Sequence, residues 1–466
     1  MKKILFFILS LALLSSCKQK ITEFNATRGS ADFTKYVSLG NSLTSGYADG
    51  ALYKYGQEHS YPSILAQQFS LVGGGPFIQP LIETEDGIGI NQTNPLLPLL
   101  IPKMVLKILQ DMDCSGKPIP GSYSLKPDLV TYTPDQAAYG AILAARPLNA
   151  GPYNNMGVPG AELQHLFFKG YGSALGNPYF ARFASSPSVS ILDDAMAQHP
   201  TFFSLWIGNN DVLLSALAGT SAFVTPVDTF AKYYPLAVGA MLASGKTPKG
   251  IVATIPDVTS IPFFTTISGQ LPYNNVVLDA TQAAVLNALY AGYGHPEITW
   301  QAGPNSFVIK REDGTWVHMG SSDLFLLTLP TDSIQCRGMG IVDTTVRPYR
   351  LYPIPGKYVL DVNEQLVIQQ HVDAYNQIIK QTATSTGMAL ADMNEELKSF
   401  ASGLIFDGVK FNPTFISGGL FSTDGIHLNP RGNAILANIF IQAINAKYGA
   451  NIPQVSVTNY RGLIFP

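Results

Sequence analysis

The sequence predicts an α/β fold built on a mostly parallel sheet. Three observations carry that prediction. Short apolar runs of strand length recur along the chain, each closed by Gly, Pro or a polar cluster. Longer helix-like stretches alternate with them, which is the pattern of a parallel sheet with helical crossovers. No internal repeat and no long low-complexity segment competes with this reading.

Each element has its own reason. Phe33 to Leu39 is an apolar-aromatic run ending at Gly40, hence a buried strand followed by a turn. Residues 50–150 are rich in Gly, Pro and Leu with few regular patterns. His199-Pro200 closes a helix-like stretch, and Thr201 to Ile207 follows as a second core strand. Phe230 to Leu242 is helix-like; Gly250 to Ile255 is a third strand, stopped by Pro256. Ala280 to Ala291 is a helix. Residues 295–355 look like an insertion, because Asp313-Gly314 lies between two β-rich runs, a hairpin signal. Val362 to Thr384 is a helix and Met388 to Met393 a strand. Asn429-Pro430 then opens a final helix to about Lys447, Asn being a good N-cap and Pro suited to the first helical position.

Composition excludes several functions. The 466-residue chain has 46% hydrophobic but only 13% charged residues, against roughly 25% charged in a typical domain. It is too apolar to be disordered. A net charge of −3 excludes a strongly basic nucleic-acid binder. Three cysteines exclude a disulfide framework and a multi-cysteine metal cluster.

The N-terminus reads as an export address. Lys2 and Lys3 precede an apolar run, Ile4 to Leu14, interrupted by Ser10. That run is shorter than the roughly 20 residues a membrane span needs, and it has the shape of a secretory signal. It ends in Leu14-Ser15-Ser16-Cys17, which resembles the lipobox of bacterial lipoproteins, whose Cys carries the lipid after cleavage. The expected organisation is a signal peptide over 1–16, lipidation at Cys17 and a polar tether over 17–30. Cleavage would remove two lysines and no acids, leaving 27 basic against 32 acidic residues, a net charge of −5. The expected location is the cell envelope, anchored by lipid, at the outer membrane on its periplasmic or surface face. Cys114 and Cys336 lie far apart, and sequence leaves their pairing open.

Catalytic residues of an open α/β sheet collect at the carboxyl ends of its strands. Three segments lie there. Gly40-Asn41-Ser42-Leu43 follows the first strand, Gly208-Asn209-Asn210-Asp211 the second, and Asp424-Gly425-Ile426-His427 precedes the last helix. Ser42 sits at a strand-to-helix turn, where a hydroxyl is exposed and backbone N–H groups are free. A serine needs a base, and a carboxylate three residues before a histidine can orient the imidazole toward it. Asn210 has an amide that can donate to an oxyanion. Gly-X-Ser and Asp-X-X-His are each common alone; their joint order along the chain is the informative feature.

That constellation resembles the SGNH/GDSL hydrolase family. Gly40-Asn41-Ser42-Leu43 looks like its first block, Asn155-Met156-Gly157-Val158-Pro159-Gly160-Ala161 its second, Gly208-X-Asn210-Asp211 its third and Asp424-X-X-His427 its fifth. The blocks are short but span nearly the whole chain. The resemblance implies a flavodoxin-like three-layer α/β/α domain over 31–450, with insertions at about 50–150 and 295–355 and an extension over 451–466. It implies Ser42 as nucleophile, His427 as general base and acid, and Asp424 as its orienting partner. The oxyanion donors would be the Ser42 and Gly160 N–H groups and the Asn210 side chain. Asn41 stands where the family has Asp and is expected to keep a local hydrogen bond. Ser42 to Gly160 is a long gap, which leaves Gly157 as the competing oxyanion glycine.

No Gly-X-Ser-X-Gly, His-Glu-X-X-His or glycine-rich phosphate loop is present. The expectation is therefore an exported serine esterase or lipase acting on small-molecule, lipid or glycan esters, without metal or other cofactor. It would be a monomer, bind no nucleic acid, and meet the membrane through its N-terminal lipid. Two alternatives stand beside it: a non-catalytic lipid- or glycan-binding surface lipoprotein, and an O-acyltransferase or carbohydrate deacetylase on the same scaffold. The apolar segment Pro95 to Leu109 would be a core helix, a packed loop or an acyl-binding cover, and Tyr47, Tyr53 and Tyr55 would pack in the core or line the site.

Overall fold

The computed structural model describes residues 24–91, 99–130, 135–173, 176–246, 248–271 and 275–466. The signal sequence, Cys17 and positions 95–98 of the apolar segment lie outside them. The centre is one five-stranded sheet: β1 (Tyr36–Gly40), β2 (Asn155–Gly157), β3 (Phe202–Trp206), β4 (Lys249–Ala253) and β5 (Ala389–Ala391). The order across it is β2-β1-β3-β4-β5, and every pairing is parallel. Tyr36 sits opposite Phe202 and Gly40 opposite Trp206, while Ser38 to Gly40 run beside Asn155 to Gly157.

Helices cover both faces, which explains why these strands read as continuous apolar runs. Label the short helix after β1 as α1 (Ser42–Ser45) and the following helices as α2 (Tyr61–Ser70), α3 (Asn210–Leu217), α4 (Val227–Ala243), α5 (Val362–Thr386) and α6 (Pro430–Tyr448). Val37, Leu39, Phe203, Leu205 and Val252 face one way, against Phe230, Tyr234 and Val238 of α4 and Val372, Tyr375 and Ile379 of α5. Tyr36, Phe202, Trp206, Ile251 and Ala389 face the other, against Ile64, Leu65 and Phe69 of α2 and Ile435, Phe440 and Ile444 of α6. Alternate side chains thus feed two separate cores, as a period of two demands.

The strand order creates the crevice the site uses. The chain leaves β1 toward β2 on one side, and later returns to place β3 on β1's other side. Connections from β1 and β3 therefore part in opposite directions, opening a cleft at the carboxyl end of the sheet.

The insertions differ in detail from expectation. α2 is the covering helix between β1 and β2, lying inside the 50–150 region that shows few patterns. Leu99–Ile101 and Met104–Met112 are strands, not a helix. The second pairs antiparallel with Pro118–Leu129, forming a long two-stranded arm. Ile108 and Met112 on it are 60% exposed and only Leu106 is buried, so the strand is mostly a surface element. The other insertion has its own apolar cluster, from Ile267 to Val359, wider than 295–355. It contains the expected hairpin, with Val308–Lys310 paired to Trp316–His318. Cys114, in the turn of the arm, is disulfide-bonded to Cys336 in the helix Thr331–Arg337, with Cα atoms 5.1 Å apart, so the two insertions are covalently joined.

The described residues near both ends are held to the domain. Thr27 pairs with Asn451, and Ser30 donates its N–H to the Tyr448 carbonyl at the end of α6. Val455 and Ile452 donate their N–H groups to Asn438 and Asn445 of α6. Among the described residues no helix is long and apolar enough to cross a membrane.

Candidate active site

Ser42 opens α1 directly at the end of β1 and is 8% exposed. Asn41 caps the turn: its side-chain oxygen accepts the Leu43 N–H at 3.1 Å. An Asp at this position would make the same bond, so the Asn keeps the local geometry. Ser45 donates its hydroxyl to the Ser42 carbonyl, and Asn155 of β2 donates to the Thr44 carbonyl, fixing α1 against the neighbouring strand.

Asp424 and His427 lie on the loop before α6. Asn429 N-caps that helix by accepting the Gly432 N–H, with Pro430 in its first turn, so the loop ends at a defined place. The Ser422 N–H donates to the His427 carbonyl and closes the loop on itself. His427 Nδ1 is 2.8 Å from Asp424 Oδ2. With Nδ1 engaged, Nε2 is the nitrogen left to exchange a proton in the cleft.

Asp424 is held unusually well. Its Oδ2 also accepts the Gly50 N–H at 3.0 Å. Its Oδ1 accepts the Ser422 hydroxyl at 2.9 Å and the Ile426 and His427 N–H groups, each at 2.8 Å. Burial alone would push this carboxyl up. The His427 charge and these bonds outweigh it and hold the pKa down at about 2. The carboxylate is therefore ionised wherever the protein would work.

Asp49 supports this arrangement and carries no motif that would reveal it. It adopts a left-handed backbone conformation, φ 56°, which Asp tolerates better than most residues. Its N–H donates to the Ser422 hydroxyl, and the next N–H, of Gly50, reaches Asp424. The Asp49 side chain accepts the Thr423 N–H and hydroxyl on one oxygen and the Tyr53 hydroxyl on the other. The loop after Ser42 thus clamps the loop that carries Asp424 and His427. Of the three early tyrosines, only Tyr47 lies against His427, ring centres 4.9 Å apart. Tyr53 serves Asp49, and Tyr55 sits between His59 and Arg461.

Asn210 is the first residue of α3, and its side-chain N–H donates to the Ala161 carbonyl at 2.9 Å. Asp211 accepts the Leu163 N–H at 2.9 Å. The third block therefore holds the loop that follows Gly160. Burial pushes the Asp211 carboxyl up to about 6 despite that bond.

The two candidate glycines have different jobs. Gly157 donates its N–H to Asn155 Oδ1 at 3.0 Å, so that donor is already used. A Cβ there would sit 2.3 Å from the Ser45 nitrogen; Gly157 is a spacer that lets β2 approach α1. Gly160 sits in the turn Val158-Pro159-Gly160-Ala161, closed by the Ala161 N–H on the Val158 carbonyl. Its φ of 78° is the positive value a type II turn needs after Pro, and a Cβ there would meet nothing within 4 Å. Gly160 is exposed and is not a wall of the cavity beside Ser42.

That cavity is small, about 50 Å³, and Ser42, Asn41, Asn209, Asn210 and His427 all line it, with Ile261 and Ile426 on its apolar side. The structure thus brings Ser42, Asn210 and His427 to one space, with Asp424 behind His427. The other six histidines each have a local partner. His59, His199, His318 and His371 bond backbone carbonyls, His165 accepts the Glu162 N–H and His295 meets Glu297. Among the described residues no group of three His, Cys, Asp or Glu side chains could hold a metal.

No family model matches the chain, and no curated protein matches it. Solved structures similar to it include LAE5, an alpha/beta hydrolase enzyme from the metagenome of Lake Arreo, Spain. That match has a TM-score of 0.35 at 12% identity and covers 90% of this chain and 97% of that one. Two mutants of Axe2, an acetyl-xylooligosaccharide or acetyl xylan esterase from Geobacillus stearothermophilus, match with TM-scores of 0.34 and 0.33 at 12% identity. Each covers 89% of this chain, and 96% and 95% of its own. At TM-scores this low, function has to be read from the chain's own residues.

Proposed function

We propose that the protein is a serine ester hydrolase of the SGNH/GDSL type. The observation that carries this reading is the convergence of Ser42, Asn210 and the Asp424–His427 pair on one cavity at the β1/β3 switch point. In the proposed cycle, His427 Nε2 takes the Ser42 hydroxyl proton as Ser42 Oγ attacks the ester carbonyl carbon. The oxyanion is stabilised by the Ser42 and Gly160 N–H groups and the Asn210 amide. His427 returns the proton to the departing alcohol, leaving an acyl-enzyme on Ser42. A water then gives its proton to His427, attacks the acyl carbon and releases the acid, and Ser42 recovers its proton. Asp424 stays ionised throughout and stabilises the imidazolium. No cofactor enters any step.

Gly160 is preferred to Gly157 as oxyanion glycine because the Gly157 N–H is spent on Asn155. The proposal includes export and a lipid on Cys17, which would place the enzyme at the cell envelope, working as a monomer.

The test is hydrolysis of p-nitrophenyl butyrate by the parent and by Ser42→Ala. The variant should fold and lose turnover. Parent-like turnover in Ser42→Ala would refute the assignment.

A further inference from the structure

A second cavity, of about 240 Å³, adjoins the small one beside Ser42. The two share the walls Leu43, Pro256, Ile261 and Ile426, so they adjoin at the residue that follows Ser42. The larger cavity is apolar. Trp206, Phe400, Phe421 and Leu428 contribute to it, and Leu397 adds an aliphatic wall. Trp206 donates its indole N–H to the Thr254 carbonyl, so its one polar atom already has a partner. The polar lining groups are Asp257, Ser260 and Lys398, of which Ser260 and Lys398 are exposed.

The two volumes divide the work. About 50 Å³ beside Ser42 holds little more than the reacting ester group. Any longer substituent on the ester needs further room, and the adjoining space is apolar. At about 30 Å³ per water-sized group, about 240 Å³ takes roughly eight such groups. Its polar wall groups are only Asp257, Ser260 and Lys398, too few to pair the many hydroxyls of a sugar, so an aliphatic chain fits this space better.

We infer that this cavity binds a linear aliphatic chain of the substrate ester, of up to about eight carbons. The inference rests on the ester-hydrolase reading above. The substrate class is then a medium-chain aliphatic ester, with the chain on either the acyl or the alcohol side of the reacting bond. The chain buries against Trp206, Phe400, Phe421 and Leu428, and the ester carbonyl stays at Ser42. No described residue of the apolar segment Pro95 to Leu109 lies in this lining.

The experiment measures kcat/KM of the full-length protein on two series. One is p-nitrophenyl alkanoates from acetate to dodecanoate; the other is n-alkyl acetates from ethyl to dodecyl. Each buried methylene is worth about fourfold in kcat/KM. One series should therefore climb by about that factor per methylene, and then level off or fall beyond about eight carbons. A climb with acyl length places the acyl chain in the cavity; a climb with alcohol length places the alcohol there. Leu397→Trp fills the cavity and should lower the octyl-to-acetyl ratio by about tenfold or more. Phe421→Ala should move the optimum to longer chains, so the inference does not hang on one variant. A flat profile in both series, or ratios unmoved in both variants, overturns it while the esterase reading stands. No turnover of any ester, with Ser42 unlabelled by a fluorophosphonate, would sink the esterase reading itself.

Discussion

Replacing Asp424 by Asn tests the acid–base pair most sharply, because the bonds around it leave the amide no good orientation. Oδ1 accepts three donors and Oδ2 accepts two, the Gly50 N–H and His427 Nδ1. An amide keeping its oxygen toward the three donors turns its NH₂ toward Gly50 and His427. The Gly50 N–H then loses its acceptor. His427 can bond the amide only by accepting at Nδ1, which moves its proton to Nε2. An imidazole protonated at Nε2 cannot take the Ser42 proton. In the Ser-His-Asp triad of a serine protease, the same tautomer error costs about 10⁴ in kcat, and a loss of that order is expected here. Stability falls as well. At pH 7 a carboxyl held at about 2, against 3.8 for the ordinary group, contributes on the order of 2 kcal/mol. That contribution is present above pH 4 and is lost as pH falls through about 2, because this group's folded pKa is depressed. The assay is p-nitrophenyl butyrate hydrolysis at pH 7.5, with urea unfolding alongside. A folded Asp424→Asn protein within about tenfold of the parent in kcat would refute the reasoning.

Other outcomes follow from the same geometry. Asn210→Ala should lower kcat by about 10²–10³, the usual cost of an oxyanion donor, and should also destabilise by about 1–3 kcal/mol because the Ala161 carbonyl loses its donor; a folded variant that is destabilised but keeps parent-like kcat would make Asn210 merely structural. Gly157→Ala should destabilise more than Gly160→Ala in urea unfolding. The first pushes a Cβ to 2.3 Å from the Ser45 nitrogen, while the second meets open space and costs only about 1–2 kcal/mol of left-handed strain. Asp211 has a folded pKa raised to about 6, so its favourable contribution is complete below pH 4 and is lost as pH rises to about 6. The stability gap between parent and Asp211→Asn should therefore change between pH 4 and 7, as read by urea midpoints at the two ends. Cys114→Ala should lower unfolding free energy by about 2–5 kcal/mol, since the bond closes a span of 222 residues; an unchanged urea midpoint would contradict this.

Much of the sheet was legible because its strands are covered on both sides, so β1, β3, β4 and β5 each appear as a short apolar run between breakers. β2 is not visible in that way. It has only three residues, Asn155, Met156 and Gly157, and Asn155 and Gly157 serve the adjoining turn more than the core. α2 was missed because Tyr61, Ile64, Leu65, Ala66 and Phe69 are all buried, leaving little polar face to mark a period. The arm Met104–Leu129 shows the opposite failure: a dense apolar stretch that forms an exposed ribbon, which composition cannot distinguish from core.

In the site, Ser42, Asn210, Asp424 and His427 were readable because each follows or precedes a recognisable element at a fixed spacing. Asp49 and Ser422 were not, because their roles exist only once two segments over 370 residues apart meet. The Cys114–Cys336 bond is the same kind of fact, a contact between two insertions that no local pattern encodes. The adjoining apolar cavity, too, draws its walls from six separate stretches of chain.

The most direct measurement is active-site labelling of the purified protein with a fluorophosphonate, located by peptide mass spectrometry. Activation of Ser42 by His427 requires the adduct to sit on Ser42, to appear in proportion to lost esterase activity, and to be strongly slowed in His427→Ala. An intact, folded protein that takes no label, or carries it on a serine other than Ser42, would contradict the assignment of this site as a serine hydrolase centre.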